Sequence, residues 1–81
     1  MSADIVTLPT SLPIARIKPT AAGWTINCRG PHGARHYDFT SASEAGEFAV
    51  VLRDEGGWRL RFSIGTDAVQ AIVEEIDGEA A

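Results

Sequence analysis

An 81-residue chain has room for one domain with a small core, and 44% hydrophobic residues are too many for a chain disordered throughout. Eleven acids against seven Lys and Arg give a formal net charge of −4, which argues against wholesale attraction to nucleic acid or an anionic membrane. The single cysteine, Cys28, excludes an intramolecular disulfide framework and fits a reducing compartment.

Residues 1–13, MSADIVTLPTSLP, contain Pro9 and Pro13, one acid and no Lys or Arg, and read as an extended arm. They resemble neither a signal peptide nor an anchor, and no window offers the ~20 apolar residues of a membrane-spanning helix. The expectation is a soluble, cytoplasmic chain with a single domain at 14–78. IARIK (14–18) reads as a first strand, PTAAG as a turn, and WTINCR (24–29) as a second strand with alternating character. GPHG (30–33) is a strong turn signal, and ARHYDFT (34–40) follows as a third strand.

The period then changes. Ser41 stands three residues before Glu44, the spacing of a capping box. Ala45, Phe48, Ala49 and Leu52 recur at helical spacing, and Gly56-Gly57 supplies a stop, so a helix is expected over 41–57. Gly46 inside it costs up to ~1 kcal/mol relative to Ala, so this helix depends on packing. GWRLRFSIG (57–65) alternates again as a fourth strand. Thr66 is positioned to cap a last helix carrying Val69, Ile72, Val73 and Ile76 on one stripe, with Gly78 as its end and 79–81 as a frayed tail. The expected fold is α+β: a two-layer, mainly antiparallel four-stranded sheet with two helices on one face, in the order β-β-β-α-β-α. The crossover from strand three to strand four allows the fourth strand at either edge.

Strand geometry sorts the residues into two faces. Ala15, Ile17, Trp24, Ile26, Cys28, Tyr37, Phe39, Trp58, Leu60, Phe62 and Ile64 are expected on the face under the helices. At ~1.5–3 kcal/mol per fully buried large side chain, that face dominates stability. The opposite face would carry Arg16, Lys18, Thr25, Asn27, Arg29, His36, Asp38, Arg59, Arg61 and Ser63. Residues 14–40 hold four basic residues and one acid, whereas 41–81 hold three basic residues and nine acids. The molecule is thus expected to be polarised, with a basic sheet and acidic helices.

A sheet covered on one side must be polar on the other, and arginine suits a solvated face because its stem covers apolar backbone. The competing reading makes Arg16, Lys18, Arg29, Arg59 and Arg61, with His36, a docking surface for an anionic partner. A protein partner suits the two-sided charge. Nucleic acid is the second candidate, with aromatic residues expected to face inward rather than to stack on bases.

Catalytic signatures are thin. Cys28, His32 and His36 have metal-capable spacing, yet strand parity sends Cys28 inward and His36 outward, and a structural zinc needs four ligands. His36 and Asp38 share a face without a nucleophile and oxyanion pocket. Glu74-Glu75 and Asp54-Glu55 read as solvated charge, and the glycine before the last helix lacks the spacing and lysine of a phosphate loop. The expectation is a non-enzymatic chain with no cofactor and no metal, as a monomer or homodimer.

The segments GWTINCRG, HYDFTSASEAGEFAVVL and GWRLRFSIG look like small bacterial and phage proteins built as a hairpin, a helix begun by Thr/Ser-x-x-Glu-Ala, and a returning strand. As a whole-chain profile, tiny, acidic, single-domain and without a catalytic motif, the sequence resembles phage-encoded anti-CRISPR proteins. That resemblance transfers no individual residue. It implies stoichiometric binding to a CRISPR effector complex that blocks target DNA recognition. The basic sheet departs from all-round acidic DNA mimics, so contact with an acidic patch, or with guide or target backbone, is the implied mode.

Overall fold

The computed structural model describes residues 13–31 and 33–80. The elements are β1 (Ile14–Pro19), β2 (Trp24–Gly30), β3 (Gly33–Phe39), α1 (Ala42–Gly56), β4 (Arg59–Phe62) and α2 (Asp67–Ala80). They form an α+β domain whose four-stranded sheet has the order β3-β2-β1-β4. β1, β2 and β3 make an antiparallel meander, and β4 returns to lie parallel to β1. Helix α1, at 15 residues, is about 22 Å long, enough to carry the chain from one edge of the sheet to the other.

The expected apolar face is the buried one. Ala15, Ile17 and Ile26 have no exposed surface and Cys28 keeps 4%, and they meet Ala45 and Ala49 of α1 and Val69 and Val73 of α2. Register aligns these side chains in rows: Ala15 lies beside Cys28 and Leu60, and Ile17 beside Ile26 and Phe62. Half-buried Tyr37 and Phe39 reach Phe48 of α1, with ring centroids 4.8 and 5.5 Å apart. The small residues Ala45, Gly46 and Ala49 let the helices approach closely. A Cβ added to Gly46 would stand 2.7 Å from the Ile72 Cβ, so α2 fills the space that Gly46 vacates.

Helix α1 ends as its sequence requires. Ser41 Oγ accepts from the Glu44 N–H at 3.4 Å, and Gly57 adopts φ 70°, in the left-handed region. The Trp58 N–H then donates to the Leu52 carbonyl at 3.1 Å. Trp58 itself, half-buried, lies between Gly56 and Gly30. The Arg59 N–H donates to the Pro13 carbonyl at 3.0 Å, so the last residue of the expected arm is tied to the sheet, while 1–12 lie outside the described residues.

Three expectations need correction. Ile64 is not in the core but 97% exposed. The strand stops at Phe62, the Ser63 N–H makes a final bond to the Ile17 carbonyl at 3.0 Å, and a turn at Ile64 and Gly65 (φ 91°) aims the chain at α2. Gly78 does not end α2, which continues to Ala80; its backbone lacks the positive φ of a glycine cap. The Thr66 hydroxyl does not turn forward onto the helix but donates back to the Ser63 carbonyl at 2.6 Å, while the Thr66 carbonyl accepts from Gln70.

Candidate docking face

The polar face of the sheet is built by the residues that alternate with the core. Three cross-strand rows follow from the register. The first runs Ala34, Arg29, Ile14, Arg59. The second runs His36, Asn27, Arg16, Arg61. The third runs Asp38, Thr25, Lys18. Arg16 and Arg61 are direct neighbours on parallel strands, where strands stand about 4.8 Å apart. Arg59 and Arg61 follow one another on the same side of β4.

All six expected site residues, Arg16, Lys18, Arg29, His36, Arg59 and Arg61, are exposed and lie on this face. Register brings Arg16 and Arg61 together, sets Arg29 and Arg59 on either side of Ile14, and puts His36 at the β3 edge. Ile14, Arg16, Lys18, Arg29 and His36 line a shallow depression of about 830 Å³ that leaves out Arg59 and Arg61. The cations therefore form a broad tilted patch rather than one closed pocket.

Electrostatically the patch is uncompensated. Among the described residues none of these five Lys and Arg has a carboxylate within 4 Å; the ion pairs found there are those of Arg53 with Asp54 (2.9 Å) and Asp77 (2.6 Å). Asp38 is the one acid on the face, and Thr25 stands between it and Lys18. The nine acids after Thr40 all lie in α1 and α2, on the other side of the sheet. There Arg53 reaches from α1 to Asp77 of α2 with two hydrogen bonds, of 3.0 and 2.6 Å, which hold the Asp77 carboxyl below the usual carboxylate range.

Two residues were missed by the sequence reading. Ile14, half-buried, is the apolar spot between Arg29 and Arg59; its parity with Arg16 and Lys18 was the signal that could have found it. Arg35 lies on the opposite face, paired with Cys28 yet exposed, because β3 is an edge strand that α1 covers mainly toward Tyr37 and Phe39. Cys28 and His36 occupy opposite faces, as parity required, and His32 lies outside the described residues. Burial pushes the Cys28 thiol above its ordinary pKa, toward an unreactive neutral form.

No helix of the described structure is long and apolar enough to cross a membrane. Comparison with known protein families, with curated proteins and with solved structures finds no match for this chain.

Proposed function

We propose that this chain is a non-enzymatic binding domain whose basic sheet face docks an acidic surface of a protein partner, an inhibitor of the phage anti-CRISPR kind. The observation that carries the docking reading is the crowding of Arg16, Lys18, Arg29, Arg59 and Arg61 on one exposed face without carboxylate partners among the described residues. Like charges on neighbouring strands repel, and an anionic partner relieves that repulsion on contact. Guanidinium groups also suit bidentate capture of carboxylates. The acidic helices on the far side orient the domain during encounter and disfavour approach the wrong way round. A CRISPR effector complex is the partner that the sequence resemblance implies.

A second reading has its own support. The depression floored by Arg16, Lys18 and Arg29 is open, as a groove following a phosphate backbone would be. Against it, Trp24, Tyr37, Phe39 and Phe62 pack on the core side, leaving no aromatic ring on the basic face for base stacking.

Both readings meet in one experiment with the wild type and Arg59→Glu/Arg61→Glu. The variant should keep its fold, since both arginines are exposed on an edge strand. Capture from a host lysate should yield a stoichiometric, nuclease-resistant protein complex with the wild type and none with the variant. A wild type that stays alone, or a variant that captures equally well, overturns the proposal. Salt-sensitive binding of labelled DNA or RNA, lost in the variant, moves the face to the second reading.

A further inference from the structure

The outer edge of β3 borders the basic face, with which it shares His36 and Asp38, and it is open. Edge strands are commonly kept from pairing by shortness, by Pro or Lys, by an inward-pointing charge, or by a bulge. β3 is seven residues long, GARHYDF, contains neither Pro nor Lys, and pairs with β2 in unbroken register from Gly33 to Phe39; its one charge on the core side, Arg35, is exposed and needs a partner across the edge. Among the described residues no strand lies on its outer side. The other edge, β4, has four residues and exposes Arg59 and Arg61, which repel a second copy of themselves.

The side chains of β3 are self-complementary in one arrangement. Antiparallel pairing about a two-fold axis at Tyr37 sets His36 of each copy opposite Asp38 of the other, giving two such pairs on the polar face. On the core side the same register sets Arg35 opposite Phe39 twice, where a guanidinium meets an aromatic ring, and Tyr37 opposite Tyr37. Tyr37 and Phe39 are only half-buried in the single chain and have apolar surface left to cover. Shifting the register by two residues sets His36 against His36, or Asp38 against Asp38. An odd shift turns the second copy over and sets a polar face beside an apolar one.

We propose that β3 pairs with β3 of a second copy in this register, forming an eight-stranded sheet with both basic faces on the same side. The occupant of the edge is thus the chain itself, selected by the His36–Asp38 exchange. His36 belongs to both surfaces, while the pairing itself does not depend on which partner the basic face docks.

The test is the mass of the purified full-length chain by sedimentation velocity and light scattering over a wide concentration range. The wild type should reach twice 8.6 kDa as concentration rises. Asp38→Lys removes the carboxylate acceptor opposite His36 at both contacts and should weaken self-association by about tenfold or more. His36→Asp/Asp38→Lys sets an acid against a base at both contacts and should restore the dimer. Circular dichroism checks that each variant is folded; if Asp38→Lys fails to fold, His36→Asp alone sets Asp against Asp38 and should be monomeric. A wild type that stays monomeric at every concentration overturns the proposal. So does a folded single variant that dimerises as the wild type does, or a double variant that stays apart.

Discussion

Replacing Gly46 by alanine sets two effects of known size against each other. In a helix interior, Ala is favoured over Gly by about 1 kcal/mol, so local propensity alone would stabilise α1. At Gly46, however, the new Cβ would meet the Cγ2 of Ile72 and stand 2.7 Å from its Cβ. Carbon atoms rest comfortably at about 3.5–4.0 Å, so α1 and α2 must part by roughly 1 Å. The Ile72 Cβ is the branch point of its side chain and cannot swing aside without moving the backbone. Overpacking of this kind costs about 1–3 kcal/mol. The expected net loss of up to about 2 kcal/mol lowers Tm by about 4–8 °C for each kcal/mol in a domain of this size. Gly78→Ala is the internal control, because its Cβ meets nothing within 4 Å and its backbone is helical. That substitution should leave Tm unchanged or raise it. Thermal unfolding followed by circular dichroism reads both. A Gly46→Ala protein more stable than wild type by the full propensity gain of about 1 kcal/mol would refute the tight helix crossing.

Thr66→Val should cost about 0.5–1.5 kcal/mol in chemical denaturation, because the 1%-exposed hydroxyl bonds the Ser63 carbonyl and valine cannot, whereas Thr66→Ser should lose less. An equal loss in both would place the effect in packing instead. The neutral Cys28 thiol favours the fold at and below neutral pH. Because its folded pKa is raised, that contribution falls away as pH climbs above the unfolded thiol's pKa of about 8.5 toward the folded value. Denaturation at pH 7 and pH 9.5 should therefore show a steeper decline for wild type than for Cys28→Ala, and parallel declines would disprove it.

The layers and faces were legible in the sequence because each strand alternates cleanly and each helix carries its own stripe. Ser41 and Gly57 mark the ends of α1 through chemistry that acts within a turn, so they too could be read locally. Ile64 shows where such reading breaks down. The alternation of Phe62 and Ile64 continues past the last ladder bond, and only the tertiary position of Ile17 and the turn at Gly65 reveal that the strand has stopped. Gly78 misled because a glycine marks a helix end only when the backbone adopts positive φ there. The parallel placement of β4 beside β1 was likewise invisible, since side-chain parity is the same at either edge. The basic residues could be assigned to a face, but the direct adjacency of Arg16 and Arg61 needed the register.

The central position of β1 also shapes how the chain comes to be assembled. One side of β1 meets β2 through a short turn, so the first three strands can associate through local contacts alone. The other side waits for β4, about 45 residues farther along. Until α1, β4 and α2 arrive, Ala15, Ile17, Ile26 and Cys28 remain wet on one side of an unfinished meander. Closing so long a loop carries an entropic cost before its contacts form, and the β1–β4 pairing is the least local strand contact in the sheet. A chain cut short within α1 would therefore be a target for chaperones, with a meander and no core to hold it.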